Sequence, residues 1–111
     1  MKKSINNEPK INDFVICTES NSINDEIFRQ HLDFINNNIG QIVNIRRTIS
    51  TVIFYEVKYD NIPEIIERYY FSSLTQHNTP GARDFLSGEI SYHSENKKEL
   101  DVILQTNKYN I

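Results

Sequence analysis

The segment from Asn38 to Tyr59 constrains the fold most, because it contains two strand patterns that are joined by a short polar connection. Apolar or aromatic side chains occupy alternate positions in its second half, at Ile53, Tyr55, Val57 and Tyr59. A period of two indicates a strand with one buried face. In the first half, Val43 and Ile45 are assigned to the buried face and Ile42 to the opposite face. The pattern predicts an antiparallel strand pair.

The connection between these strands runs from Arg46 to Thr51. It lacks the Asn-Gly signal of a two-residue turn, so a longer, exposed loop is predicted. Arg46 and Arg47 make its tip basic, and such side chains are able to contact phosphate groups or an acidic protein surface. The alternative interpretation is a solvated turn without a partner.

A chain of 111 residues with 38% hydrophobic and 24% charged residues has the size and composition of one globular domain. Its formal net charge of −3 argues against a protein that coats nucleic acid, since that binding needs many phosphate contacts from Lys and Arg. Cys17 is the only cysteine, so an intrachain disulfide is excluded and a reducing compartment is favoured. No apolar run has the length of a signal peptide or a membrane span. The sequence therefore predicts a cytoplasmic protein without a membrane partner.

Residues 1–9 are polar and are predicted to form a flexible arm, which leaves residues 10–111 as a single domain. The apolar run from Ile11 to Cys17 indicates a buried strand. A helix is predicted from Asp25 to Asn37, because its apolar residues recur at spacings of one and two helical turns.

The second half of the chain alternates further elements with a long loop. Pro63 indicates the start of a short helix that ends near Phe71. Residues 72–84 have turn chemistry at Pro80-Gly81 and few apolar residues, which predicts either a binding loop or a disordered one. One bent strand or two short strands are predicted from Phe85 to His93, and Ser94 is predicted to cap a C-terminal helix.

The order of these elements predicts an α+β fold. Its core is either a small curved antiparallel sheet or a sheet that closes into a small barrel, with one inserted helix and one C-terminal helix. The side chains predicted to be buried together are Ile16, Leu32, Ile35, Val43, Ile45, Val57 and Leu104.

Three stretches resemble the SH3-like small barrels, including the KOW type. These are Asp13-Phe14-Val15-Ile16-Cys17, Ile39-Gly40-Gln41-Ile42-Val43-Asn44-Ile45 and Tyr55-Glu56-Val57-Lys58-Tyr59. The chain departs from the family pattern at Asn12, where glycine is usual, and in the helix inserted after the first strand. Small bacteriophage accessory proteins are similar in this respect. The resemblance implies an SH3-like domain that binds a partner, either RNA or protein, rather than an enzyme.

The residue inventory predicts neither an enzyme nor a cofactor or metal. His31, His77 and His93 are the only histidines, and their spacing is unlike that of metal ligands. The glycines are too far apart for a phosphate-binding loop. An acid–base pair would require His93 to lie close to His77 or Glu89.

Two functions remain as hypotheses. The first is a non-catalytic protein-binding module, a phage accessory protein that inhibits or redirects a host protein in the host cytoplasm. The second is a nucleic-acid-binding barrel that uses a local arginine patch. The residues predicted to contact the partner are Arg46, Arg47, Tyr55, Lys58, His77 and Arg83, together with the loop from Thr75 to Asp84. The oligomeric state is left open.

Overall fold

Five antiparallel strands form one sheet in the order β4-β3-β2-β1-β5. In this computed structural model the described residues are 8–20, 25–71 and 80–109. The strands are β1 Phe14–Cys17, β2 Gly40–Arg47, β3 Ile53–Lys58, β4 Ala82–Leu86 and β5 Ile90–Ser94. The helices are α1 Glu26–Asn36, α2 Glu64–Tyr70 and α3 Lys97–Tyr109. The predicted α+β fold is confirmed, and residues 1–7 of the predicted arm lie outside the described ranges.

A short connection forces the sheet to curl. Only the 3₁₀ turn Ser87–Glu89 separates β4 from β5, although these strands lie at opposite edges of the sheet. Four residue steps from Leu86 to Ile90 reach at most about 14 Å. The edges of a flat five-stranded sheet would be about 19 Å apart. The sheet is therefore curved, as predicted, but within the described chain β4 and β5 do not pair with each other, so it stays open.

The first strand pair confirms the alternation in β3 and corrects the faces assigned in β2. Tyr55 and Val57 are buried on what we call the core face of the sheet. Ile45 pairs with Tyr55 and Ile42 pairs with Val57, so both isoleucines share that face. The register shifts between Ile42 and Asn44 because Val43 is an extra, bulged residue. The prediction that Val43 points into the core and Ile42 away from it was wrong for this reason.

Two helices cover the core face. Phe28, Leu32 and Ile35 of α1 and Ile66 of α2 belong to one buried cluster with Val15 and Cys17 of β1. The helix predicted from Asp25 to Asn37 is confirmed to within one residue at each end. The apolar faces of α1 and β1 therefore pack together in a single layer.

The C-terminal helix α3 packs against β1 and β5 on the opposite side, which we call the outer face. Ile16 and Leu100 are buried there, outside the core-face cluster. Asn96, rather than Ser94, caps the helix, since its Oδ1 accepts the amide of Lys98 at 3.0 Å. The Ser94 hydroxyl instead accepts the amide of Asn96 at 2.9 Å.

The predicted buried set is confirmed in part. Ile16, Leu32, Ile35 and Val57 are buried, whereas Val43, Ile45 and Leu104 are only half-buried. They do not form one cluster, because the sheet separates the Ile16 side from the Val57 side.

The strand predicted after the long loop begins earlier than expected. β4 starts at Ala82, inside the stretch that the sequence assigned to a loop. The two short strands around Ser87-Gly88 are confirmed. No helix in the described residues is long and apolar enough to cross a membrane.

Glycine is required at the first position of β2. A Cβ atom at Gly40 would lie 2.4 Å from Val57 Cγ1 and 2.9 Å from Tyr59 Cζ. Such contacts are shorter than real side chains tolerate, so β2 and β3 approach closely only because residue 40 lacks a side chain.

Two identical substitutions test the core. We expect Val57→Ala to lower the free energy of unfolding by about 2 kcal/mol, because the side chain is fully buried and leaves a cavity. Val102→Ala removes the same atoms from a side chain that is 64% exposed, so the free energy of unfolding should change by less than about 0.5 kcal/mol. Chemical denaturation measures both values. Equal effects of the two substitutions would contradict the assignment of Val57 to the core.

Candidate interaction surface

Apolar side chains remain exposed where the β2–β3 hairpin meets β4. Phe54 projects to the outer face, Leu86 pairs directly with it, and Val52 immediately precedes β3. Val52 is 38% exposed, Leu86 is 42% exposed and Ile49, at the tip of the hairpin, is completely exposed. We call these four side chains the hairpin face. It is an exposed apolar surface of the kind that partners bury.

The tip that carries Ile49 is a hydrogen-bonded turn. The Thr48 amide donates to the Val52 carbonyl at 3.0 Å, and the Thr51 amide donates to the Thr48 carbonyl at 3.2 Å. Thr51 adopts φ 69°, which is strained for a β-branched residue. The turn therefore holds Ile49 in water at the end of an ordered hairpin, and its full burial in a partner would contribute about 1.5 to 3 kcal/mol.

One arginine crosses the hairpin face. The Arg46 guanidinium lies 5.5 Å from the centre of the Phe54 ring and forms an ion pair with Asp84 on β4. The hydrogen bond to Asp84 raises the pKa of Arg46 above its ordinary value. The guanidinium is therefore a permanent charge stacked on an aromatic ring, and 40% of the side chain is still exposed.

The structure separates the residues predicted to contact a partner. Arg47 pairs with Ile53 and Arg83 pairs with Val57, which places both side chains on the core-face side, opposite Arg46. No contiguous patch of these three arginines forms, because consecutive strand residues point to opposite faces. Arg47 Nη2 lies 4.0 Å from the Glu8 carboxylate.

The other predicted contact residues are also dispersed. Tyr55 is only 2% exposed, so its ring belongs to the core and offers no contact surface. Lys58 pairs with Asp60 at 3.1 Å, at the end of β3 far from the hairpin tip. His77 and the part of the predicted binding loop from residue 75 to 79 lie outside the described residues. Of the predicted contact residues that the structure describes, Arg46 is thus the one beside the exposed apolar side chains.

A second group of polar side chains, of which His31 is fully buried and the others are partly exposed, lies under α1 and α2, and we call it the buried polar cluster. It consists of Glu19, His31, Arg83 and Tyr70. Glu19 Oε1 accepts His31 Nε2 at 3.1 Å and Arg83 Nη2 at 3.2 Å, while Oε2 accepts Arg83 Nε at 2.7 Å. Arg83 also donates to the Tyr70 carbonyl at 2.8 Å. Because a carboxylate only accepts, His31 carries its proton on Nε2 here.

This buried polar cluster joins four parts of the fold. The His31 ring is fully buried and stacks on Tyr70, with ring centres 4.7 Å apart. Burial of the carboxyl would raise the pKa of Glu19, but hydrogen bonds from His31 and Arg83 outweigh it, so the pKa lies below its ordinary value of 4.5. The cluster is therefore a structural tie between the β1–α1 segment, α1, α2 and β4.

The Cys17 thiol, which belongs to the apolar core, is not a ready nucleophile. Burial raises the pKa of the Cys17 thiol to about 12, so the thiolate is not populated near neutral pH. Within the described ranges, no group of three or more His, Cys, Asp or Glu side chains is arranged to hold a metal ion.

Acid titration of a single substitution tests the role of Glu19. Since its pKa is lower in the folded chain than in the unfolded chain, Glu19 stabilises the fold above about pH 4.5 and loses this contribution as pH falls through its folded pKa. Glu19→Gln should lower the free energy of unfolding by about 1 to 3 kcal/mol at neutral pH. The difference from wild type should shrink as pH is lowered to about 3.

Denaturant unfolding at a series of pH values measures this difference. Glu67→Gln on the exposed side of α2 is the matched control, and its difference from wild type should stay near zero. A deficit of Glu19→Gln that is independent of pH would show that the carboxylate charge is not what stabilises the cluster.

Comparison of the chain with protein-family models, with curated proteins and with solved structures finds no match. The resemblance to SH3-like barrels stays a prediction. Function is therefore inferred from the chemistry of the exposed side chains.

Proposed function

We propose that the protein is a non-catalytic binding module whose hairpin face is buried by a partner protein. The observation that carries this proposal is the complete exposure of Ile49 on a hydrogen-bonded tip, next to the half-exposed Val52 and Leu86. The exposed Ile49 side chain contributes no hydrophobic stabilisation in water, whereas a pocket on a partner would remove its whole surface from water.

The composition of the hairpin face fits a protein interface. Such interfaces have an apolar centre, a polar rim and an enrichment of aromatic residues and arginine. Phe54 lies at the centre under Arg46, and the Arg46–Asp84 pair forms the rim. An arginine that is already oriented on a ring loses less conformational entropy on binding than a free side chain.

Nucleic-acid binding has weaker support. It depends on several cations that reach phosphates on one surface, and the net charge of the chain is −3. Arg83 is held by Glu19, Arg46 is held by Asp84, and Arg47 points to the other face. The further proposal of a phage accessory protein that inhibits or redirects a host protein in the cytoplasm rests only on the resemblance of the strand pattern.

Affinity capture from a lysate of the cells in which the protein occurs, with and without nuclease, tests the class of partner. We expect a protein to be retained after nuclease treatment. Loss of all captured material on nuclease treatment would favour the nucleic-acid alternative.

A pair of matched substitutions then tests the surface. Ile49→Ser should weaken binding of the captured protein at least about 10-fold, because about 1.4 kcal/mol or more of apolar burial is lost. Ile65→Ser on α2 makes the same change at a side chain that is 42% exposed and outside the hairpin face, and should leave affinity unchanged. Titration calorimetry measures affinity, and thermal unfolding verifies that both variants are folded. Equal affinities of wild type and Ile49→Ser would exclude the hairpin face as the contact surface.

A further inference from the structure

A groove of about 490 Å³ lies between β5 and α3, on the half of the outer face that the hairpin face does not reach. We call it the β5–α3 groove. Tyr92 and Ser94 line it from the strand, and Glu99, Leu100, Val102 and Ile103 line it from the helix. Its volume lies in the range of sites that bind small ligands and side chains.

The apolar part of the groove is only partly covered. Leu100 is buried at its base with 2% exposure, whereas Tyr92 is 43% exposed and Val102 is 64% exposed. Val102 lies in the middle of α3 at an exposed position, where a polar residue is usual if the helix face contacts only water. Packing of α3 on the sheet therefore explains Leu100 but not these two side chains.

The groove contains one acidic side chain. Glu99 is the only carboxylate that lines it, and no ion pair to Glu99 occurs in the described part of the chain. Glu99 Oε1 accepts the Ser94 hydroxyl at 2.6 Å, which orients the carboxylate but leaves its charge in place. His93 also lines the groove, with the Asp13 carboxylate 3.5 Å from its Nδ1.

This charge is complementary to a cation. A Lys or Arg side chain in the groove would pair with Glu99, and the exposed ring of Tyr92 offers a face for a cation–π contact. The apolar remainder of the groove fits an aliphatic or aromatic side chain.

The shape of the site indicates a polypeptide segment. β5 is an edge strand, and no strand of the described residues pairs with its outer side, so an added strand could pair there. The register of β5 against β1 shifts around Ser91, which confines regular pairing to Tyr92–Ser94. Only a short segment is accommodated.

We propose that the β5–α3 groove binds a short segment of a partner protein that carries an apolar side chain and a Lys or Arg beside it. This surface is separate from the hairpin face, since no described residue lines both. The protein would then present two contact surfaces on its outer face. Ser94 and Glu99 also stabilise the start of α3, and that structural role coexists with the binding role.

Selection from a displayed random peptide library tests the proposal with defined probes. We expect the enriched peptides to combine an apolar residue with a basic one, and their amide chemical-shift changes to map to β5 and α3. Val102→Lys should weaken their binding at least about 10-fold, because it places a cation in the apolar part of the groove.

A double-mutant cycle isolates the contribution of the Glu99 charge to peptide affinity. Glu99→Gln should weaken the selected peptide about 3- to 10-fold at low salt and less at high salt. The same peptide with its basic residue replaced by Gln should bind wild type and Glu99→Gln equally. Glu67→Gln is the matched control, and Ile49→Ser should leave peptide binding unchanged, which separates this proposal from that of the hairpin face.

Several results would overturn the proposal. These are the absence of enriched peptides, enriched peptides without a basic residue, or shift changes that map to the hairpin face. Sedimentation that shows wild type to be a dimer and Val102→Lys a monomer would assign the groove to a second copy of the chain instead. Binding of a simple apolar amine as tight as that of the peptide would assign it to a small molecule.

Discussion

The three-residue connection Ser87–Glu89 is the constraint on which the rest of the structure depends. It joins the two edge strands, so the sheet must curl until its edges approach each other. A curled sheet encloses volume on one side, and large side chains such as Phe71, Phe85 and Tyr59 fill it. The helices α1 and α2 then close the open side of that layer. The curl thus determines which face of the sheet is the core.

The curl also brings a charge into the interior. Arg83 shares the core face with Val57 because the two residues pair across β3 and β4. The Arg83 side chain is 27% exposed, and a charge that is partly removed from water is unfavourable unless it is paired and hydrogen-bonded. Glu19 meets both conditions with contacts at 2.7 and 3.2 Å. Glu19 in turn fixes His31, so one arginine organises the approach of α1, α2 and β4. Apolar replacements of similar volume would often stabilise such a site as well, which suggests that the cluster selects one arrangement of the helices.

Sequence patterns predicted the elements better than their faces. The period of two in β3 and the helical stripe that includes Leu32 are long enough to identify both elements and their buried sides. The bulge at Val43 has no recognisable sequence signal. The β2 residues on both sides of it were therefore assigned to faces as if the alternation were uninterrupted. Arg83 was placed in a loop because β4 is short and carries two charges, and only pairing with β3 makes it a strand. The hairpin face was missed for the same reason, since Leu86 joins Phe54 through long-range pairing.

The outer face of the sheet is covered by α3 only in part. α3 covers the half of this face formed by β1 and β5, where Ile16 and Leu100 are buried. On the other half, Phe54 and Leu86 lie side by side at the position where a further layer would pack, yet Leu86 is 42% exposed. Single exposed apolar residues are ordinary, but adjacent ones that continue to a fully exposed isoleucine form a surface. A partner that docks there would complete the layer that α3 begins, so the proposed binding function would follow from a sheet that has one outer helix and room for a second element.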